Sequence, residues 1–242
     1  MDKNMFWNYK ETRGQSGYKS AWLYKLPSET KYHLLCATEQ VPYVFGDTDS
    51  FEIDILQSDT KGKIQGKASL EPVDVDVLHH RDNSYRFEKL KGITVDFMSI
   101  NAEFVGYKFN GTIYYRPNTA EAGVNRATVT ITPMSGTTTP IFDARDLIQE
   151  TLYFKNSIDD TVSIDPKTRK ATVNFETQYS GTTLEIVKLY INENGEEVED
   201  DKSVPTPSGT VVDFTAKGLY VVTAKDTSNT YASWTTTVYV EE

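Results

Sequence analysis

Strict alternation of apolar and polar residues is the feature that most limits what this chain can fold into. Val73, Val75 and Val77 alternate with two aspartates in the stretch VDVDV. Successive side chains of a β-strand point to opposite faces, so this stretch predicts a half-buried strand with its aspartates outward. SFEIDIL, RATVTIT and KATVNFE repeat the pattern, and GTIYYRP and SWTTTVYVE are rich in β-branched and aromatic residues. The sequence therefore predicts a mostly β protein.

One short helix is predicted directly after VDVDV. The stretch DNSYRFEKLKG offers Asp82 or Asn83 as an N-cap, good helix formers through Leu90, and Gly92 as a stop. We expect a corner at His79–Arg81, followed by a helix of about two to three turns. An alternative is one continuous helix that already begins in VDVDV, but the alternation favours a strand there.

A polar segment, residues 154–170, separates two regions of alternating sequence. Residues 1–154 carry 17 basic and 20 acidic groups, whereas residues 155–242 carry 8 and 15, which gives net charges of −3 and −7. Turn signals recur about every ten residues in the second region, a spacing typical of a small β-sandwich. We therefore predict two domains, 1–154 and 155–242. Neither charge balance suits a protein that wraps nucleic acid, which requires basic surfaces.

The densest run of chemical groups is His79-His80-Arg81-Asp82. Neighbouring side chains face opposite ways on a strand and diverge by about 100° on a helix, so the two histidines are not expected to share a metal ion. We expect Asp82 to cap the helix, and Arg81 to pair with a carboxylate or with a second subunit.

Other motifs for catalysis, cofactors or metals are missing from the sequence. Asp47 and Asp49 lack the ligand spacing of a calcium-binding EF-hand loop, and the charge run EEVEDDK is expected to be a solvated hairpin loop. No nucleotide-binding loop and no nucleophile motif is present. Cys36, the single cysteine, is expected to be buried in a strand. We therefore predict no catalytic residue, no metal and no cofactor.

Four motifs follow one another in residues 61–117: GKIQGKASLE, the HHRDNSYRFEKLKG corner and helix, VDFMSI, and the strand GYKFNGTIYYRP. In this order they resemble the major tail proteins, or tail tube proteins, of long-tailed bacteriophages. TITPMSGTTTPIFDARDLI is similar to the closing strands of that family, so the resemblance covers about residues 1–154. Residues 155–242 resemble a bacterial Ig-like domain, through KATVNFE, TTLEIVKLYI and DFTAKGLYVVTA.

The resemblance implies a fold and an assembly. The first domain would be a tail-tube β-sandwich or half-barrel with one short α-helix, and six copies would form rings that stack into a tube. The second domain would be a small Ig-like sandwich that decorates the outside. Subunit contacts are expected from strand edges, from the long loops Tyr9–Gly17 and Thr38–Ser50, and from the SDTKGK turn. The individual interface candidates are Val41, Tyr43, Val44, Phe45, Lys61, Lys63, Arg81 and Asp82.

The resemblance also implies partners and a location. The protein would be part of the virion tail, assembled in the host cytoplasm, and would contact itself and the tail terminator, tape measure and tail-tip proteins. Genomic DNA would pass through the lumen without specific binding, and the Ig-like domain could bind host-surface carbohydrate weakly. The opening MDKNMFWNYKETRG has no apolar core of a secretory signal, which fits this location. The alternatives are a carbohydrate-binding or adhesive β-sandwich protein and, third, a glycosidase that uses two acidic residues.

Overall fold

A computed structural model of the chain describes residues 20–38, 45–53, 62–101, 103–118, 125–134, 138–202 and 204–242. At residues 20, 37, 38, 45–53 and 62–69 it describes the backbone alone. The described part is mostly β, with a single α-helix of ten residues, which confirms the predicted fold class. That helix is too short to cross a membrane, and no other described helix is long and apolar enough to do so.

The larger sheet has seven strands. These are β1 (Ser20–Lys25), β2 (His33–Thr38), β5 (Val73–Leu78), β6 (Val95–Ile100), β7 (Gly106–Pro117), β8 (Arg126–Pro133) and β9 (Thr139–Ile141). Their order is β2-β1-β6-β7-β8-β5, β9 adds to β7, and every pair is antiparallel. The terminal strands of this order, β2 and β5, also approach within 8 Å at their Cα atoms. The sheet therefore curls strongly, as a half-barrel does.

A large core cluster lies on the face of this sheet that carries the valines of β5. Val73, Val75 and Val77 are buried there, and the two intervening aspartates are exposed, as the alternation predicted. They pack with the buried Trp22 and with Phe87 of the helix. Burying an aromatic or branched side chain contributes about 1.5–3 kcal/mol, so this cluster dominates the stability of the sheet. Cys36 is buried in β2, as predicted.

The helix α1 spans Arg81–Leu90, and β5 ends at Leu78, so the predicted order of strand, corner and helix is confirmed. Gly92 has a φ of 73°, in the left-handed region that glycine favours at a helix stop. The predicted N-cap is wrong. The helix begins one residue before Asp82, where the Ser84 amide donates to the His80 carbonyl at 3.0 Å.

A separate hairpin joins β3 (Phe45–Ile53) and β4 (Gly62–Leu70). Two predictions are wrong here. Phe45 was expected in a loop but begins β3 opposite Leu70, and Lys63 was expected in the SDTKGK turn but lies in β4 opposite Glu52. The two nine-residue strands pair with two register shifts, and this pairing extends them into polar residues that suggested a loop and a turn.

An Asn-Gly pair favours a turn, but β7 runs without a break through Asn110 and Gly111. A Cβ atom on Gly111 would lie 2.6 Å from the carbonyl oxygen of Thr132 and 3.3 Å from the Phe97 ring. This glycine therefore allows a close approach between neighbouring strands.

The C-terminal sandwich holds the remaining strands. These are β10 (Thr161–Ser163), β11 (Ala171–Asn174), β12 (Thr182–Ile191), β13 (Glu197–Asp200), β14 (Val211–Phe214), β15 (Gly218–Asp226) and β16 (Trp234–Glu241). One sheet has the order β10-β16-β15-β12-β13, and the other pairs β11 with β14. Phe175, Phe214, Tyr220 and Val238 are among the buried residues between them. The expected solvated loop EEVEDDK instead contains β13, which pairs with β12.

The chain divides into two compact units. Among the described residues, one unit holds the curled sheet, with Ser20–His79 and Phe87–Arg145. The other holds the C-terminal sandwich, Asp146–Glu242, together with His80–Arg86. A short 3-10 helix, Arg145–Leu147, lies where the chain passes from one unit to the next. The first turns of α1 are thus grouped with the sandwich and not with the sheet that precedes them in sequence.

Candidate functional site at the helix corner

The corner between β5 and α1 positions Arg81 and Asp82, the two interface candidates whose side chains the structure describes. His79 directly follows β5, and its Nδ1 lies 2.7 Å from the hydroxyl of Tyr115. The chain then turns into α1, and His80–Arg86 belong to the unit of the C-terminal sandwich. The site therefore consists of the first turns of α1 and the strands of the sandwich that they contact.

Asp82 makes the most concentrated set of contacts in this site. Its carboxylate accepts hydrogen bonds from the Thr237 amide at 2.7 Å, the Thr237 hydroxyl at 2.6 Å and the Thr236 hydroxyl at 3.1 Å. Both threonines are almost fully buried in β16. A buried amide without a partner is costly, so the carboxylate satisfies a donor that would otherwise destabilise the sandwich.

The position of Thr237 explains why β16 needs this partner. One side of β16 pairs with β15 along most of its length, but on the other side β10 covers only Tyr239–Glu241. The Thr237 amide lies just beyond the end of that coverage. An uncovered strand edge is a template for wrong pairing, and Asp82 closes this one with a side chain.

Arg81 extends the same closure toward β10. Its Nη1 donates to the Asp160 carbonyl at 3.1 Å, and this carbonyl also accepts the Tyr239 amide at 2.9 Å. The guanidinium lies 6.0 Å from the centre of the Tyr239 ring. Arg81 was predicted to pair with a carboxylate or with a second subunit, and within this chain the structure gives it a backbone carbonyl and an aromatic ring.

Two further residues of the same helix face were missed by sequence analysis. The Tyr85 hydroxyl donates to Glu199 at 2.9 Å, and the Arg86 guanidinium lies 4.4 Å above the Trp234 ring. Burial, and then the hydrogen bond to Glu199 and its charge, raise the pKa of Tyr85 well above its usual value. A signal was available in retrospect, since residues 81, 82, 85 and 86 lie at the helical spacing that places them on one face.

This arrangement of side chains is suited to anchoring. Its contacts are hydrogen bonds from neutral donors to two carboxylates, Asp82 and Glu199, a bond from Arg81 to a backbone carbonyl, and two contacts between a cation and a ring. No group of three or more His, Cys, Asp or Glu side chains that could hold a metal occurs in the part of the chain that the structure describes.

The other interface candidates are placed only in part. Phe45 and Lys63 lie in β3 and β4, and Val41, Tyr43, Val44 and Lys61 lie outside the described residues, as does the segment Tyr9–Gly17. Exposed apolar side chains offer candidates that the sequence did not indicate. Phe142 is 82% exposed and Tyr114 is 53% exposed, both in the unit of the curled sheet.

No protein-family model matches the chain, and no characterised protein matches its sequence. The resemblance to tail tube proteins thus stays a prediction that depends on the motifs of residues 61–117.

Proposed function

We propose that this chain is a structural protein of a phage tail, whose first domain forms stacked six-membered rings around the path of the genomic DNA. The observation that carries the proposal is the order of motifs in residues 61–117. The four motifs correspond to β4, α1, β6 and β7, and β5 lies between the first two.

Two structural features support the proposal. The first is a strongly curled antiparallel sheet with one short helix, which is the architecture that the resemblance implies. The second is the exposed Phe142, since a large apolar side chain that is 82% exposed in a single chain has a clear use in a subunit contact. The excess of acidic over basic residues also fits a surface that DNA passes without adhering.

The C-terminal sandwich is proposed to be an Ig-like decoration outside the tube. Its support includes Tyr220, at the start of the penultimate strand β15, whose hydroxyl donates to the Ala216 carbonyl at 2.9 Å. A tyrosine that bonds back to the backbone just upstream in this way is a feature of many Ig-like sandwiches. Its proposed ligand on the host surface is a carbohydrate, bound weakly by each of many copies.

Electron microscopy of the purified full-length protein tests the proposal. We expect rings or tubes in negative stain, formed either spontaneously or after addition of a tail-tip complex that nucleates assembly. A protein that remains monomeric and binds glycans would favour the alternative, an adhesive β-sandwich. Deletion of residues 155–242 is expected to leave tube formation intact, and loss of tubes in this variant would show that the sandwich takes part in assembly.

A further inference from the structure

Three tyrosines from three separate segments gather at one end of the C-terminal sandwich. Tyr179 lies in the connection from β11 to β12, Tyr231 in the connection from β15 to β16, and Tyr153 in the chain that leads to β10. The Tyr179 and Tyr231 rings have centroids 5.1 Å apart and are tilted by 37°. We call these residues, with the neighbouring Glu150, the tyrosine cluster.

The backbone around the cluster is held in place by hydrogen bonds. The Ala232 amide donates to the Glu150 carbonyl at 2.7 Å, and the Leu152 amide donates to the Ala232 carbonyl at 2.9 Å. Gln178 joins the remaining segment, because its side chain accepts from the Tyr153 amide at 2.9 Å and donates to the Thr151 carbonyl at 3.1 Å. The three rings and the carboxylate are therefore presented by a preformed frame, which lowers the entropic cost of binding.

Gly181 allows the Tyr179 ring to take its position. A Cβ atom at Gly181 would lie 2.6 Å from a carbon of that ring, so the ring occupies the space that a side chain would fill. The ring thus lies close to the Gly181 backbone, and a side chain at this position would displace it.

Among the residues that the structure describes, no cation forms an ion pair with the Glu150 carboxylate, and burial alone shifts its pKa. Within the described residues, the nearest lysines in sequence are paired elsewhere: Lys155 with Glu176 at 2.6 Å, and Lys225 with Glu185. Neither the carboxylate nor the three hydroxyls of the cluster has a hydrogen-bond partner in the described part of the chain. Burial raises the pKa of Glu150, and burial followed by the charge of Glu150 raises the pKa of Tyr231.

We propose that the tyrosine cluster binds an organic ammonium group, with the Glu150 carboxylate as the counter-charge and the tyrosine rings as the contact surface. Ring faces carry partial negative charge and attract cations, and a half-buried carboxylate without a partner is stabilised by one. A neutral ligand would leave that carboxylate uncompensated, which is why a cation fits better. The ammonium group can belong to a free ion or to an amino sugar of a surface glycan. The inference does not depend on tube formation.

The test is an NMR titration of the full-length protein with three probes at constant ionic strength: choline, glucosamine and N-acetylglucosamine. Glucosamine and its N-acetyl form differ in the charged amine, so the pair isolates the contribution of that charge. We expect choline and glucosamine to shift the amide signals of residues 150–153, 178–181 and 229–232 at millimolar concentrations, and the N-acetyl form to leave them unchanged. Binding of choline alone would indicate that the ligand is a quaternary ammonium ion. Binding of choline and of glucosamine would indicate that the cluster accepts an ammonium group on a free ion or on an amino sugar.

Matched variants assign the binding to the cluster. Glu150→Gln keeps the backbone bonds but removes the charge, and is expected to weaken binding roughly tenfold. Tyr231→Leu removes one ring and is expected to weaken it about threefold. Glu185→Gln, a change to an exposed carboxylate of β12 with its own lysine, is the control and is expected to bind as the unchanged protein does. Equal shifts with N-acetylglucosamine, no shift with either amine, or full binding by a folded Glu150→Gln protein would each overturn the proposal.

Discussion

Replacing Asp82 by alanine is expected to destabilise the C-terminal sandwich, although Asp82 is separated from β16 by more than 150 positions in the sequence. The change removes three hydrogen bonds, from the Thr237 amide and from the hydroxyls of Thr237 and Thr236. It also opens the edge of β16 that β10 does not reach. Aspartate-to-asparagine is the milder change, because it keeps one acceptor oxygen and the shape of the side chain.

The magnitude follows from the type of bond that is lost. A hydrogen bond to a charged group contributes about 1.5–3 kcal/mol, and a buried donor left without a partner costs about 1–3 kcal/mol. These contributions overlap, because the same Thr237 amide enters both, so we expect a total loss of about 3 kcal/mol for Asp82→Ala. The asparagine variant is expected to lose about 1–2 kcal/mol. For a unit of this size, a loss of about 3 kcal/mol lowers the melting temperature by roughly 10–20 °C.

Calorimetry and amide hydrogen exchange measure this effect together. The Thr237 amide is expected to exchange roughly a hundredfold faster in Asp82→Ala, while amides in the curled sheet keep their rates. Asp76→Ala is the control, since Asp76 is an exposed aspartate of β5 whose bond from Thr128 is long, at 3.4 Å. It should change stability by less than about 0.5 kcal/mol. An unchanged Thr237 exchange rate in Asp82→Ala would refute the reasoning.

Three further predictions concern the unit of the curled sheet. Phe142→Ser should leave the monomer folded but prevent ring formation, as measured by sedimentation and microscopy. Its control, Ile191→Ser, changes a 65% exposed residue of the sandwich and should still form rings. Equal assembly of both variants would show that Phe142 is not in the interface. Gly106→Ala should lower the free energy of unfolding, measured with denaturant, by at least about 2 kcal/mol, because its new Cβ would overlap the Ser99 carbonyl oxygen. An unchanged free energy of unfolding would show that β6 and β7 can move apart at this position. Burial, then the charge of Asp96, raises the pKa of Tyr32 from 10.0 to about 12. The neutral form of Tyr32 is therefore favoured in the folded state, so its contribution to the free energy of unfolding is fully present below pH 10 and is lost as the pH rises toward 12. In Tyr32→Phe the free energy of unfolding should fall less over this range. The same pH profile in both proteins would contradict the prediction.

The strands and the helix were predictable where one local rule decided the structure. In VDVDV the alternation alone predicted that the valines face the core. After Leu90 the helix ends at Gly92, whose backbone adopts the left-handed conformation that glycine favours. Local rules failed where distant pairing overrode them. The Asn110-Gly111 pair reads as a turn, but β6 and β8 flank this segment on both sides and hold it extended.

The candidate site was predictable only in its location. The sequence singled out Arg81 and Asp82, but Asp82 was expected to bond locally, as a helix cap. Its true partners, Thr236 and Thr237, are brought to it by the fold, and nothing in the spacing of the sequence indicates them. Gathering Tyr153, Tyr179 and Tyr231 into one cluster likewise depends on where three connections meet.

The most direct test of the central claim is cryo-electron microscopy of the assembled full-length protein. The account predicts a hollow tube of stacked rings, each of six subunits, with the curled sheets around the lumen and the C-terminal sandwiches on the outside. A map that shows no ring, or a closed assembly without a lumen, would contradict it.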